Sequence, residues 1–337
     1  MTKRSLIATA LTIGLLGLAG CPGKVPGFPG GSGKVDPNTC GNYAASDAGR
    51  KLKAFLEATV QLEAAVKNTE NYLLDTCKMM APDLGVTDTS GNTKEVCMRV
   101  RDALADHMKL GIKAESKLDL KYTPAVCEVN VEAAASAAAE CEAKGSADIG
   151  VKCEGSCSGT CSGACEGTCD GKAGTGGSSA DCNGHCEGTC GGSCSGGCDG
   201  HADVDASASC KAKAEVSASV EAKCTEPELE VAWKNEVVLD ESKLQAAVAA
   251  IKKGLPRIFM VSAKIGGPMM AAFKTWAKAG TELSGAGRDL YNSLGDQAMC
   301  VSGQISAAVG MLTNIQLSID VQIEVSASVS GSAGAGA

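Results

Sequence analysis

Between positions 52 and 80 the apolar or small side chains Leu52, Phe55, Thr59, Leu62, Val66, Thr69, Leu73, Cys77 and Met80 recur every three or four residues. That period puts them on one face of a long helix, which Pro82 ends. Asn92 and Glu95 supply a capping box for a second helix that runs to about Ser116 through Val96, Val100, Leu104, Met108 and Ile112. Two further helical patterns come late in the chain. One spans Ser242 to about Gly280 and bends at Pro256 and at Gly266-Gly267-Pro268; the other spans Leu283 to about Thr313. Short connections favour antiparallel neighbours, so the four helices form an up-down bundle.

Between the second and third helices the pattern changes to alternation. Val129, Val131, Ala133, Ala135, Ala137, Ala139, Ala143, Ala147, Ile149 and Val151 share one parity, and Ala202, Val204, Ala206, Ala208, Ala212, Ala214, Val216, Ala218, Val220 and Ala222 share another. A period of two predicts strands with one buried face. Nearer the bundle the parity inverts, with Leu118, Leu120 and Tyr122 facing Trp233, Val231 and Leu229, so a kink is expected at Pro124 and Pro227. The C-terminal stretch alternates as well, from Leu317 through Ile319, Val321, Ile323 and Val325 to Val329, and reads as a third strand. Its Glu324–Val329 segment repeats the sequence of Glu215–Val220, which suggests one shared sheet.

The cysteines sharpen this picture. Seven pairs have positions that add to one constant, 351: Cys127 with Cys224, Cys141 with Cys210, Cys153 with Cys198, Cys157 with Cys194, Cys161 with Cys190, Cys165 with Cys186, and Cys169 with Cys182. A constant sum is what an antiparallel hairpin stapled by disulfides produces. The inner five pairs come from two Cys-x-Gly-x arrays and leave the register free to slip by four, whereas the outer two pairs remove that freedom. The same frame opposes Glu128 to Lys223, Glu140 to Lys211 and Lys152 to Asp199, and tolerates Asp148 against Asp203. Strands that alternate cysteine with glycine have poor β-propensity and almost no core, so the bridges replace packing. A straight arm from Val126 to Cys169 would reach roughly 145 Å at ~3.3 Å per residue. Apart from Cys21, four cysteines remain, Cys40, Cys77, Cys97 and Cys300, which allow three pairings. Cys77 with Cys97 is favoured, because they stand at adjoining ends of the first two helices, and this leaves Cys40 for Cys300.

The expected fold is therefore α+β: an antiparallel four-helix bundle with a very long disulfide-laddered β-hairpin inserted between helices 2 and 3, and a third C-terminal strand. Residues 40–116 hold the first two helices, 117–234 the hairpin with its Cys-rich tip region at 153–200, 235–314 the last two helices, and 315–337 the strand and a frayed tail. Residues 1–20 form a signal peptide and 21–39 a Gly/Pro-rich tether.

The signal reading rests on Lys3 and Arg4 ahead of the apolar run Leu6–Ala19. That run closes on Leu18-Ala19-Gly20-Cys21, which resembles the lipobox of bacterial lipoproteins. The resemblance implies that Cys21 carries a diacylglycerol and acyl lipid, becomes the new N-terminus and anchors an exported chain in the cell envelope. Pro22, where an Asp would favour inner-membrane retention, favours the outer membrane. An oxidising exterior permits the disulfides.

Charge and composition narrow the function. A net charge of −8 and 3% aromatic residues argue against a nucleic-acid partner. With three histidines and no nucleophile motif, phosphate loop or distinctive carboxylate pair, no enzyme, no non-covalent cofactor and no small-molecule substrate are expected. His185 and His201 read as solvated residues and His107 as a packed one. The Cys-x-x-x-Cys arrays could instead bind soft metals as thiolates, although zinc sites prefer Cys-x-x-Cys units and an exported chain would have to stay reduced. Gly111 and the glycines of the fourth helix, Gly285, Gly287, Gly295, Gly303 and Gly310, suggest close helix approach. The expected role is that of a lipid-anchored structural, adhesive or assembly protein, with a protein partner or a second copy lying along the Ala/Val face of the hairpin. The alternatives are a metal- or thiol-binding lipoprotein and a helical bundle with a β-tongue like those of pore-forming toxins.

Overall fold

The computed structural model describes residues 34–113, 118–162, 164–169, 172–173, 180–181, 186–190, 193–234, 238–285 and 293–333. The signal peptide, Cys21, most of the tether, Cys182 and His185 lie outside these residues. The chain is mostly helical, with small antiparallel sheets and several disulfides.

Helix α1 spans Asp47–Met80, where the Ser46 hydroxyl accepts from the Gly49 N–H and Pro82 opens a 3-10 turn after the end. Helix α2 spans Thr93–Gly111 behind the Asn92–Glu95 capping box, in which both reciprocal bonds form. The next regular elements are two short strands, β1 (Asp119–Thr123) and β2 (Cys127–Asn130), and then helix α3 (Val131–Glu142). The cysteine-rich region forms β3 (Val151–Ser162), β4 (Ala164–Cys169), β5 (Lys172–Ala173), β6 (Ala180–Asp181), β7 (Cys186–Cys190) and β8 (Ser193–Val204). Helix α4 (Ala208–Val220), β9 (Lys223–Cys224) and β10 (Glu228–Ala232) return the chain to the helical body. There α5 (Glu241–Lys264) and α6 (Met270–Gly285) are divided by a π-helical turn at Ile265–Met269, and α7 (Ala298–Gly310) and α8 (Leu312–Ser332) finish the chain.

Two expectations fail here. The arms of the hairpin are not continuous strands, because 131–142 and 208–220 are helices, and the C-terminal stretch 315–332 is helix α8 and no third strand. Alanine explains the first failure. It has the highest helix propensity and low β-propensity, and it stands at both parities of the segment 133–139, so the alternation carried no information about period. The buried residues Val131, Ala134, Ala138 and Cys141 follow helical spacing instead. In α4 the residues of one parity are buried, but so are Ser209, Glu215, Ser217 and Ser219 of the other. The repeated Glu-Val-Ser-Ala-Ser-Val segment is helical in both α4 and α8.

The frame of 351 nevertheless survives at the base of the insertion. Strands β1 and β10 pair with Leu120 opposite Val231 and Tyr122 opposite Leu229, and β2 and β9 pair with Cys127 opposite Cys224 and Glu128 opposite Lys223. Pro124 and Pro227 fall in the gap between these two ladders. Beyond the helices the ladder slips by four, with Cys157 opposite Cys198 and Cys161 opposite Cys194 on β3 and β8. The single ribbon also folds over itself: β7 lies between β4 and β3, and β8 lies between β3 and β2, so the strand order is β5-β4-β7-β3-β8-β2-β9. A straight shaft is therefore not formed. The opposed carboxylates disappear too, since Asp203 now faces Lys152 across the ladder and its carboxylate meets the Lys211 ammonium.

The four-helix bundle is likewise replaced by a larger helical body. Helix α1 packs against α2, α4, α5, α6, α7 and α8, around Phe55, Leu56, Leu104, Leu255, Trp276 and Ile319. Phe55 and Trp276 stack with centroids 5.9 Å apart, and the buried indole N–H donates to Thr59 Oγ1 at 2.9 Å. Gly111 closes the α2–α5 contact, where a Cβ would stand 2.9 Å from the Leu244 nitrogen; at Gly285, Gly295 and Gly310 nothing lies within 4 Å, so those glycines do not serve close packing.

A second, smaller core holds Val129, Val131, Ala134, Ala138, Ile149, Val151, Ala202, Val204, Ala214 and Ala218. It is assembled from α3, α4 and the inner ends of β2, β3 and β8. Cys141 and Cys210 join α3 to α4 across 69 residues, and the bridge rests on Ala54 of α1. Replacing both cysteines by alanine should lower unfolding stability by ~2–4 kcal/mol in the non-reduced protein, the range for a long closed loop. Denaturant unfolding of the double variant measures it, and an unchanged midpoint would mean that α3 and α4 hold together without the bridge.

Candidate functional site

The chemistry that distinguishes this chain is its sulfur, and the described residues contain five disulfides. Cys40 joins Cys300 with Cα atoms 5.6 Å apart, tying the start of the folded chain to α7 across 260 residues. Cys77 joins Cys97 at 5.2 Å, across the turn between α1 and α2. Cys127–Cys224, Cys141–Cys210 and Cys153–Cys198 have Cα separations of 4.0, 5.4 and 5.9 Å. All five lie in or near the range that a disulfide spans without chain movement. Cys153 and Cys198 are bonded although the backbone ladder sets Cys157 across from Cys198. The side chains of Cys157, Cys161, Cys165, Cys169, Cys186, Cys190 and Cys194 lie outside the described residues, as does Cys182 altogether, so the four remaining expected bridges are not described. In the backbone ladder Cys165 faces Cys190 and Cys169 faces Cys186, again four residues away from the expected partners.

Helix α4 holds the sulfur-bearing insertion against the helical body. Ser217 Oγ bonds Gln61 Oε1 of α1 at 3.2 Å, Ser219 Oγ donates to the Pro268 carbonyl of the π turn at 3.0 Å, and Lys213 pairs with Glu57 at 3.2 Å. From the other side Arg50 Nε of α1 donates to the Cys141 carbonyl at 3.1 Å, and the Glu142 carboxylate accepts from the Ser207 N–H at 2.7 Å and faces Lys51 at 3.4 Å. Much of the Ala/Val face expected to receive a partner is covered within the chain, by the second core at Val129, Val131, Ile149, Val151, Ala214 and Ala218 and by the main core at Ala212 and Val216, while Ala133, Ala135 and Ala137 are half-buried and Ala143 is exposed.

Of the histidines, His107 sits on α2 with Nδ1 3.4 Å from the Lys243 carbonyl, while His201 is opposite Glu154 on the β3–β8 ladder. Among the described residues no three His, Cys, Asp or Glu side chains converge as a metal would require.

One ionisable group stands out that periodicity did not flag. Glu215 of α4 is 2% exposed, and burial pushes its carboxyl up to about 7; the Thr275 hydroxyl and the Lys211 ammonium, 3.9 Å away, pull it back, and Asp203 pushes it further up. In an alternating strand it would share the polar parity with Lys211 and Lys213. Because its folded pKa exceeds that of an unfolded Glu, the native state binds the extra proton. Stability from this group is fully present below about pH 4.5 and is lost as pH rises to about 7. Glu215→Gln should flatten that fall, gaining on the order of 3 kcal/mol relative to the parent at pH 8. Thermal unfolding of both proteins from pH 5 to pH 8 measures it; parallel curves would show that Glu215 is solvated.

No protein-family model matches the chain, and neither curated proteins nor solved structures yield a match.

Proposed function

We propose that this chain is an exported, lipid-anchored protein of the cell envelope, tethered through acyl lipid on Cys21, with a structural, adhesive or assembly role in place of catalysis. The observation that carries the reading is the set of bridges. Five disulfides, with separations from 20 to 260 residues, tie the described chain from its first to its last helices, as suits a protein that works in an oxidising compartment. The N-terminal charge, the apolar run and Leu18-Ala19-Gly20-Cys21 supply the route and the anchor, and residues 21–39 the tether. The outer membrane is favoured as the destination because Pro22 follows the cysteine.

Part of the Ala/Val face is covered within the chain, so a partner or second copy would lie along its open remainder on α3 and at Ala143, or along the folded-over Cys/Gly ribbon. The ribbon carries a repetitive Cys/Gly backbone fixed at its inner end by Cys153–Cys198, which suits presentation or assembly. In cells supplied with labelled palmitate, the parent chain should incorporate label and sediment with membranes, and Cys21→Ser should do neither. Membrane sedimentation of an unlabelled Cys21→Ser chain would remove the anchor from the proposal.

A second reading, a helical pore-forming protein with a β element, has one observation in its favour. The segment Gly295–Ser332 contains a window of mean hydropathy 1.3 of which 22% is buried, less cover than a core helix usually has. The β1–β10 ribbon lies against α5 of the same body, with Tyr122 packed on Phe259 at 4.1 Å. The structural reading predicts that the purified chain releases no dye from phosphatidylglycerol-containing vesicles. Concentration-dependent leakage would favour the pore instead.

A further inference from the structure

Charge is spread unevenly along this chain. Between Asp296 and Asp320 no Asp, Glu, Lys or Arg occurs, so α7 and the first turns of α8 carry no formal charge in a protein of net charge −8. The two helices run on into each other. Met311 keeps helical backbone angles, its N–H donates to the Ala307 carbonyl at 3.2 Å, and its carbonyl accepts from the Ile315 N–H at 3.0 Å. One side of this rod belongs to the main core, through Val301, Ile305, Ala308, Ile315 and Ile319. On the other side two large apolar side chains are open to solvent, Met299 at 76% and Leu317 at 56% exposure. They stand five turns apart at ~3.6 residues per turn and so share one face. Between them that face shows Ser306, Gly310 and Asn314, all exposed and neutral.

The start of the folded chain is fastened to the same helix. Gly41 stands against the Gln297 side chain, where a Cβ would lie 3.2 Å from Nε2, Cys40 is bonded to Cys300, and the Asp36 N–H donates to Gln304 Oε1 at 2.8 Å. Followed backwards from Gly41, the chain therefore moves along α7 towards α8 and leaves the body at Val35, beside the middle of the helix. Residues 22–34 then separate Val35 from Cys21. A Gly-rich chain of that length has a mean reach of about 20 Å and cannot exceed about 50 Å. A lipid on Cys21 thus keeps α7 within that distance of the bilayer surface, and the contacts at Asp36, Cys40 and Gly41 stop more chain from being drawn out.

We propose that the uncharged outer face of α7 and the start of α8 docks on the bilayer that holds the Cys21 lipid, with Met299 and Leu317 seated at the boundary between headgroups and acyl chains. The inference rests on the anchor reading. The face suits this occupant because it bears no charged side chain that contact with lipid would have to strip of water, and no carboxylate to be repelled by anionic headgroups. Two exposed side chains would hold a free protein weakly. A short flexible tether turns docking into an intramolecular step at a local concentration on the order of millimolar, where weak contacts suffice. Crossing the bilayer would instead pull Ile305, Ala308, Ile315 and Ile319 out of the main core, so the helix lies on the surface and does not span it.

Tryptophan quenching tests the docking on the full lipidated chain, reconstituted in phosphatidylcholine vesicles whose acyl chains carry bromine. Met299→Trp and Leu317→Trp each place a reporter at an exposed position of the face, and Leu239→Trp, exposed just before α5, is the control. After subtraction of the parent signal from Trp233 and Trp276, the first two should be quenched at least about twofold more strongly than the control, since bromine reaches only side chains seated in the interface. Adding Leu317→Asp to the Met299→Trp chain should bring quenching down to the control level with an unchanged melting temperature, because position 317 is outside the core. Flotation of the same vesicles reports the anchor separately. Chains that float with all three reporters quenched alike would overturn the docking and leave the anchor standing, as would undiminished quenching in the folded Leu317→Asp chain. Chains that fail to float would overturn both. Shielding of the Met299→Trp reporter from acrylamide that rises with protein concentration in the absence of lipid would give the face to a second copy and overturn the assignment.

Discussion

Everything in this fold depends on how closely helix α4 can be approached from two sides at once. Ala212 and Val216 pack into the main core beside α1 and α6, while Ala214 and Ala218 pack into the second core beside α3 and β8. A helix buried on most sides normally carries large apolar side chains, but α4 carries Ala, Ser and Val with one Cys, two Lys and one Glu. Small side chains allow short interaxial distances, and the serine hydroxyls find partners on α1 and on the π turn. The cost is little apolar area per residue. Covalent and ionic ties compensate: Cys210 is bonded to α3, Lys213 to Glu57, and Lys211 to Asp203. The buried carboxyl of Glu215 is the least comfortable member of this contact, which is why its titration reports on α4 as a whole.

The same small residues made this part of the chain hard to read. A long helix such as α1 announces itself because Leu, Phe, Val and Met occupy one face and Lys, Glu and Gln the other, and the capping box before α2 leaves little freedom about where it starts. In 131–142 the contrast between faces is lost, since alanine occupies positions of both parities. Val131 and Cys141, an even number of residues apart, then look like a strand when they lie about three turns apart on a helix. The segment 317–329 shows the opposite trap. Ile, Val and Leu alternate strictly with polar residues there, yet the segment is helical, because Ile315, Ile319, Gln322, Val325, Ser326 and Val329 face the body and Leu317 and Ile323 are left exposed. Tertiary packing overrides a local period of two when the chain has no neighbouring strand to pair with.

The constant sum of cysteine positions deserves a more careful interpretation than a ladder. It reports that two segments run antiparallel and advance residue for residue, whatever their secondary structure. Helices α3 and α4, of twelve and thirteen residues, lie between two bridges that both keep the sum, although the backbone ladder beyond the helices is four residues out of it. Cys127–Cys224 and Cys153–Cys198 keep the frame while the backbone between them is helical. The pairing of the outer cysteines was thus legible, and the structure that separates them was not. The split of the four remaining cysteines was legible for a simpler reason. Cys77 and Cys97 stand at the two sides of one short turn, and only a single partner then remains for Cys40.

The arrays themselves mark the limit of what repetition can specify. With cysteine at every fourth position, frames that differ by four residues bring sulfur opposite sulfur equally well, and glycine opposite glycine between them. Sulfur and glycine do not separate the alternatives, so the register is set by the residues at the ends, among them Lys152, which faces Asp203 in the slipped frame. Here the ends are held by the bridge on Ala54, by α3 and α4, and by the apolar residues Ile149, Val151, Ala202 and Val204 at the inner ends of β3 and β8. A ribbon of this composition takes its shape from its attachment, and the helical body is therefore a template for the sulfur ladder as well as its support. That relation also explains why the ribbon can fold over on itself. Its faces carry few bulky side chains, so layers of backbone can pair on either edge, and β7 and β8 each acquire two strand neighbours where an isolated hairpin would offer one.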